Sequence, residues 1–551
     1  MGTSDMTTNG GLLLAEALER YGITHFYYIM GAPMLQAEKE AMRRGLRGID
    51  VRHEQAAVMM AQSFSRVTGR VAACMAASGP GVTNLVTGAA HAKADCVPVL
   101  ILGGSAPRDQ SGNGVFQEDV DQLAMMTPCV KWAERVTHAH RVPEMVVRAL
   151  SIATTGKPGP VYLDLPADML SAEVDPASVR WPAYSPETRV RPGLSEDDLS
   201  AVRAEIASAS RPIIVSGGGA LWSGASEELR TFVETTGIPF FTTPQGRGIV
   251  PDDHPQCHLA ARATAFREAD LVLVLGTRMN YVSGHVSAPR FAADVRVVRI
   301  DIDPAEIASS RDLAFGAVAD LKVALAQLNE GAASGNERFE AWNTHLAQVN
   351  AEKSAKAEGA LASDATPVHP LRLCAEVRDF MSRDTVLCVD GQEILNYGRQ
   401  SIPCFRPGYR QNSGTYGTMG VGLPLGLGAK SALPDSEVIV LHGDGSLGFN
   451  VMELDTAVRH NLPVIVVVSL NGGWTGDPEK DKPGRDLGYT RYDKLAEALG
   501  CHGELVEESA GIAGALQRAR EAVRAGKPAL VNVVTDWRAR ATTVAFTRYS
   551  T

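Results

Sequence analysis

The sequence predicts an α/β protein made of three doubly wound parallel-sheet domains. Three observations lead there: short Val/Ile/Leu runs ending in Gly or a small polar residue, helical patterns between them, and two linker-like stretches that sort the runs into three groups. The chain has 551 residues, more than the roughly 250–300 that one hydrophobic core serves. The first group is VAACMAAS (71–78), VPVLILGG (97–104) and VYLDLP (161–166). The second is PIIVSGGG (212–219), LVLVLGTR (271–278) and VRVVRIDID (295–303). The third is TVLCVDG (385–391), VIVLHGDG (438–445), PVIVVVSLNG (463–472) and ALVNVV (529–534). Runs this apolar suit parallel strands covered on both faces.

Between the runs, Leu454, Ala457 and Val458 fall on one helical face, and SEDDLSAVRAEI opens with a Ser195…Asp198 capping box. Residues 171–194 hold four prolines and no long apolar run, so they read as a linker. Residues 331–367 are rich in Ala, Ser, Gly, Glu and Lys and read as a second linker, with a short helix around 339–349. The expected domains are therefore 8–170, 195–330 and 366–540, followed by a tail, 541–551.

Composition narrows the function classes. With 53 Lys+Arg against 63 Asp+Glu the net charge is −10, which argues against general affinity for nucleic acid or an anionic membrane. An anionic ligand must be met by local groups. The longest apolar runs, such as 464–468, are too short to span a bilayer. The N-terminal residues show no secretory pattern, and Met6 occupies the position where myristoylation needs Ser or Thr. The eight cysteines lie far apart without a CxxC pair, which reads as reduced thiols. A cytoplasmic protein is the expectation.

In open parallel sheets ligands bind at the carboxyl ends of the strands. The unusual residues sit there: Ser78-Gly79-Pro80-Gly81, Asp390-Gly391, Gly443-Asp444-Gly445 and Asn471-Gly472-Gly473. The strongest signal is HGDGSLGFNVMELDTAVRHNLPVIVVVSLNGGW, where Asn471 follows Asp444 by 27 residues across a strand–helix–strand unit. This chemistry suits a Mg²⁺–diphosphate site. Mg²⁺ takes hard oxygen donors, here a carboxylate, an amide oxygen and phosphate oxygens. Gly443 and Gly445 let backbone N–H groups approach phosphate, and the helix beginning near Ser446 adds its partial positive charge. Taken alone, Gly-Asp-Gly is a common turn; the spacing to Asn471 is what separates it from one.

This segment resembles the signature of thiamine-diphosphate-dependent enzymes. The resemblance implies Mg²⁺ held by Asp444, Asn471 and the Gly473 carbonyl. Leu470 departs from the pattern, since many members carry another Asn there. VRHEQAAVMMAQSFSRVTGR resembles the family's pyrimidine-domain helix, which makes Glu54 the catalytic glutamate that protonates the pyrimidine ring nitrogen. ASGPGVTN (77–84) resembles the loop packed on the pyrimidine and offers Pro80 and Asn84. SGTYGTMGVGLP (413–424) resembles the segment that bends the cofactor, with Met419 as the wedge and the Gly417 carbonyl on the 4′-amino group. Gly391, Gln392 and Glu393 would meet the diphosphate from its other side. The three domains then become pyrimidine-binding, middle and diphosphate-binding.

Within the family, GGSAPRDQSGNGVFQE (103–118), residues 246–291 and SGTYGTMG look most similar to the 2-hydroxyacyl-CoA lyase branch. That likeness implies Phe116 and Gln117 facing the thiazolium. It also implies cleavage of a short 2-hydroxyacyl-CoA to an aldehyde or ketone plus formyl-CoA, reversibly. The rival reading is a carboligase or acetolactate-synthase-like enzyme acting on free 2-keto acids or aldehydes. An acyl-CoA needs cationic donors on this acidic chain. The candidates are Arg247 and Arg278 in the middle domain, Arg410 before SGTYG, and Arg538 and Arg540 ahead of a tail that could close as a lid. The middle domain could take CoA or ADP. The family likeness further implies a homodimer at minimum, with a homotetramer expected.

Overall fold

Two six-stranded sheets and one five-stranded sheet carry the computed structural model, which describes residues 8–117, 120–185, 190–308, 311–330 and 336–541. The N-terminal sheet comprises β1 (His25–Ile29), β2 (Arg47–Asp50), β3 (Ala73–Ala76), β4 (Leu100–Ser105), β5 (Trp132–Arg135) and β6 (Val161–Pro166). The middle sheet comprises β7 (Pro212–Ser216), β8 (Phe240–Thr242), β9 (Leu271–Leu275), β10 (Arg296–Asp301) and β11 (Phe315–Val318). The C-terminal sheet comprises β12 (Val386–Asp390), β13 (Arg410–Asn412), β14 (Val438–Gly443), β15 (Ile465–Leu470), β16 (His502–Val506) and β17 (Ala529–Val534).

All three sheets are parallel. The spatial orders are β2-β1-β3-β4-β6-β5, β8-β7-β9-β10-β11 and β13-β12-β14-β15-β17-β16, so the first and last domains share one topology. In each sheet the central strands are buried end to end, which is why the longest apolar runs were legible. The less apolar strands escaped that reading: β1, β2, β5, β8, β11, β13 and β16 carry polar or aromatic residues, and most lie toward the sheet edges.

The first and third domains meet through helices. α1 (Glu54–Thr68) buries twelve of its fifteen residues, among them the polar Glu54, Gln62, Ser63, Ser65 and Arg66. Its partner α3 (Gly422–Ala432) follows α2 (Pro80–Ala94) in our numbering and packs against α1 in one hydrophobic cluster that includes Met59, Met60, Leu423, Leu427 and Val440. The approach is close: a Cβ on Gly428 would run into the Met60 backbone.

One linker expectation changes. Residues 340–361 form one 22-residue helix, much longer than the short helix expected, with Trp342 and Leu346 buried. The capping box forms as expected, Ser195 Oγ accepting from Asp198 N at 3.1 Å and Asp198 Oδ2 accepting from Ser195 N at 3.1 Å. Leu454 and Ala457 are buried, but Val458 is exposed, because it sits near the end of a seven-residue helix. Leu470 is buried at the end of β15, and its carbonyl accepts from Thr535 N, so the departure from Asn leaves the strand end packed.

Candidate active site

Polar chemistry collects at the carboxyl edge of the C-terminal sheet. β14 ends at Gly443 and α4 (Asp444–Asn450) starts at the next residue, so the Asp444 side chain emerges where sheet becomes helix. The cleft there is lined by Gly391, Gln392, Glu393, Met419, Gly443, Asp444, Gly445, Ser446, Asn471, Gly473 and Trp474. Asp444 and Asn471 converge on one peptide group: Gly473 N–H donates to Asp444 Oδ2 and to Asn471 Oδ1, each at 3.1 Å. Asp444 Oδ1 also accepts from Gly445 N at 2.8 Å. Burial pushes the Asp444 carboxyl up to about 6, against the pull of these N–H donors and Arg485. Gly445 has no room for a side chain, since a Cβ would stand 2.6 Å from the Trp474 ring.

Several residues support the cleft, Asp390 flagged at its strand end by the sequence, His442 and Arg485 not. Asp390 is fully buried and accepts from Gly391 N (2.7 Å) and Gly422 N (3.0 Å), joining the cleft's floor to the start of α3. His442 Nε2 accepts from Leu423 N at 2.9 Å, which leaves Nδ1–H for Ser446 Oγ at 2.9 Å. Burial holds this imidazole below its usual range. Arg485, buried, donates to the carbonyls of Asn471 (3.1 Å), Gly472 (3.3 Å) and Thr475 (3.0 Å) and so shapes the loop 471–475.

A second group lies in the N-terminal domain. Glu54 opens α1 after the cap His53, is buried, and its Oε2 accepts from Asn84 Nδ2 at 2.8 Å. Pro80 is the first residue of α2, which carries Asn84. Gln117 Oε1 accepts from Ser78 Oγ at 2.7 Å, with a left-handed backbone (φ 67°), and presses on Gly79. Phe116 is 86% exposed in the single chain. Neither Glu54, Pro80 and Asn84 nor Phe116 and Gln117 line the cleft of the same chain. Gly417 is exposed with φ 72°, whereas Met419 lies on the cleft wall. Glu393 turns its carboxylate to Ala541 N at 2.8 Å, and Ala539 packs on Gly476, so residues 539–541 border the cleft. The tail itself, beyond Ala541, lies outside the described residues.

The five arginines proposed for an acyl-CoA separate into three kinds. Arg247 is buried and committed to Asp252 (Nε to Oδ2 2.9 Å) and the Arg399 carbonyl (3.0 Å). Arg410 is buried, gives one bond to the Ile402 carbonyl (3.0 Å), and keeps Nε and Nη2 shut from solvent without a protein acceptor. Both are interior residues. Arg278 lines a separate cleft where the three domains meet, with Asp95, Lys157, Asp301 and Glu306, and donates to Thr415 Oγ1 at 3.2 Å. Arg538 is exposed over Trp537, and Arg540 stands near Glu393.

Sequence reasoning missed Arg262 and Arg399. Arg262 Nε and Nη2 and Arg399 Nε are buried without a protein acceptor. Burial, then the neighbouring Arg290, Arg399 and Arg247, holds Arg262 down to about 9, and burial lowers Arg399 as well. Arginines crowd here, and Asp252 is hydrogen-bonded to Arg247 among them.

Three family models match in chain order: the thiamine pyrophosphate enzyme N-terminal TPP binding domain over residues 8–125, the central domain over 199–328 and the C-terminal TPP binding domain over 395–533. The chain belongs to the thiamine pyrophosphate (thiamine-diphosphate) enzymes. Within them it falls in the acetolactate synthase, oxalyl-CoA decarboxylase and 2-hydroxyacyl-CoA lyase superfamily. It is 33% identical to a 2-hydroxyacyl-CoA lyase of Arabidopsis thaliana over 558 residues, covering 97% of this chain and 96% of that one. It is 32% identical to the acetolactate synthase large subunit IlvG of Mycobacterium tuberculosis over 541 residues (96% of each chain). It is also 32% identical to the oxalyl-CoA decarboxylase of Escherichia coli over 548 residues (96% and 95%). This is an enzyme of the thiamine-diphosphate-dependent lyase and synthase superfamily. Among the described residues no helix is long and apolar enough to cross a membrane.

Proposed function

We propose that the enzyme cleaves a short 2-hydroxyacyl-CoA to an aldehyde or ketone plus formyl-CoA, reversibly, using Mg²⁺ and thiamine diphosphate. The observation that carries the CoA part is the arginine cluster. Buried guanidinium donors without acceptors are costly, and an anion is the natural compensation. Arg is suited to phosphate through paired N–H bonds. The cluster adjoins the Met419 segment: Arg399 lies within electrostatic reach of Tyr281, whose hydroxyl donates to the Thr415 carbonyl at 2.9 Å. A phosphate-bearing tail anchored there would extend toward the cleft wall. The likeness to an acetolactate synthase keeps free 2-keto acids as the rival substrates.

The cleft fits the cofactor's polar end. Three or more His, Cys, Asp or Glu side chains do not converge among the described residues; the Asp444 carboxylate and the Asn471 amide oxygen do meet, at the Gly473 peptide, and they are hard oxygens suited to Mg²⁺. Asp444, Asn471 and the Gly473 carbonyl would hold the ion, with Gly391, Gly443, Gly445 and Ser446 offering backbone and hydroxyl donors to diphosphate. When bound, the cofactor supplies an electron sink for the broken C–C bond. Glu54 supplies a buried carboxyl, steadied by Asn84, that exchanges a proton with the pyrimidine ring nitrogen. Met419 would bear on the bound cofactor from the cleft wall. Because Glu54 does not line the cleft of its own chain, we assign the complete site to two copies, one contributing Glu54 and Asn84, the other Asp444 and Asn471. The exposed Phe116 would be covered in that assembly.

The test assays cleavage of a 2-hydroxyacyl-CoA beside condensation of pyruvate. Dominant thioester cleavage supports the proposal. Efficient acetolactate formation with no response to CoA esters moves the assignment to the rival.

A further inference from the structure

The backbone around Glu54 is gripped from the other domain. α5 (Glu453–Arg459) follows α4, and Glu453, 1% exposed, reaches across to the N-terminal domain. Its Oε1 accepts from the peptide N–H groups of Arg52 (3.0 Å) and His53 (3.2 Å), the two residues immediately before Glu54. Its Oε2 accepts from Thr456 Oγ1 at 2.7 Å. On the far side of Glu54, Gln55 Nε2 donates to Asn450 Oδ1 at 3.0 Å. Arg52 Nε also reaches Asp455 Oδ2 at 2.7 Å. Residues 52, 53 and 55 are thus all held by one short stretch, 450–455, that runs on directly from Asp444.

Adhesion between the domains does not require this arrangement. The apolar contact of α1 with α3 already joins them, and a buried carboxylate is an expensive adhesive. What the carboxylate does that apolar packing does not is fix two peptide N–H groups in direction. These groups set the entry of the chain into α1 and hence the aim of the first side chain of the helix. That side chain is Glu54.

We propose that Glu453 is the positioning residue for Glu54, holding the first turn of α1 so that the Glu54 carboxyl meets its proton partner. The inference rests on the assignment of Glu54 above. It assigns to Glu453 no contact with substrate or cofactor.

The test uses the full-length enzyme in two measurements. In the cofactor-free protein, amide hydrogen exchange of the peptide containing residues 52–55 should speed up in Glu453→Ala and stay slow in Glu453→Gln, whose amide oxygen keeps both N–H bonds. In the loaded protein, proton exchange at thiazolium C2 should fall about 10- to 100-fold in Glu453→Ala. Cofactor Kd should stay within about three-fold. Glu453→Gln should recover most of the exchange rate. Wild-type C2 exchange in Glu453→Ala overturns the proposal. So does a Glu453→Gln variant with protected amides and unrecovered exchange, since charge and not placement would then be the contribution. If Glu453→Ala does not fold, Glu453→Asp, which withdraws the acceptor by one methylene, takes its place: slowed exchange supports the proposal and wild-type exchange overturns it. Glu54→Gln runs beside them as control. Undiminished exchange there removes the Glu54 assignment itself, a failure distinct from that of Glu453.

Discussion

Replacing Arg262 by alanine separates the CoA reading from its rival. Two guanidinium nitrogens of Arg262, Nε and Nη2, are buried without a protein acceptor, so the side chain has donors to give to a phosphate. A hydrogen bond to a charged group contributes about 1.5–3 kcal/mol, so losing one such contact should raise KM for a 2-hydroxyacyl-CoA about 10- to 150-fold. The corresponding acylpantetheine, which lacks the phosphates, should respond by less than about three-fold, as should kcat. Stability gives an independent reading. Burial holds Arg262 down to about 9, so its charged form is strained in the free fold, and removing it forfeits its contact with Phe266 but no ion pair. The melting temperature of the ligand-free variant should therefore stay near that of the wild type, while stabilisation by added CoA should shrink. Steady-state kinetics with the two thioesters and thermal melts with and without CoA measure both. Equal losses on CoA and pantetheine esters, or none on either, would refute the argument from the arginine cluster.

Three further outcomes are expected. Asp444→Ala should weaken Mg²⁺-supported thiamine-diphosphate binding at least about 100-fold by titration calorimetry, because the carboxylate that links ion to protein is gone; wild-type affinity in the presence of Mg²⁺ would contradict the metal assignment. Mixing inactive Glu54→Ala with inactive Asp444→Ala under subunit exchange should restore about a quarter of wild-type activity, since half of random dimers are mixed and each mixed dimer keeps one intact site of two. No recovery despite demonstrated exchange would place the site within one chain. His25 is held down from 6.5 to about 4, first by burial and then by Arg47, so between those values the unfolded chain binds a proton that the native chain does not. Stability must then fall as pH drops through that window, and His25→Gln should lose less stability than wild type between about pH 7 and pH 5; parallel urea-denaturation curves would refute this.

The sequence was most legible where burial is complete. Runs such as 463–472 and 529–534 have no polar face, and only a strand covered on both sides explains them. Strands such as β5 (WAER) and β16 (HGELV) carry charge and fell below that signal. The Asp444…Asn471 pair was readable because a metal-type donor set repeats at strand ends, and the fold does bring both side chains onto the Gly473 amide. Arg262, Arg399 and Glu453 were not readable. An arginine or glutamate on a helix is ordinarily solvated, and only the packing of one domain on another makes these three interior. Arg247 and Arg410 were readable as candidate cationic donors, but their burial was not. The α1–α3 contact was hidden for a similar reason, since Gly428 has meaning only once Met60 lies against it.

The most direct measurement of the central claim, that Glu54 activates a cofactor held at Asp444 and Asn471, is proton exchange at thiazolium C2 in Glu54→Gln, followed by quenched-flow NMR with cofactor saturating. Glutamine preserves the shape and the bond to Asn84 but cannot exchange the proton. The account predicts cofactor affinity within about three-fold of wild type and exchange slowed by about 10²- to 10⁴-fold, the loss of a positioned proton-transfer group. Wild-type exchange in the loaded variant would contradict it.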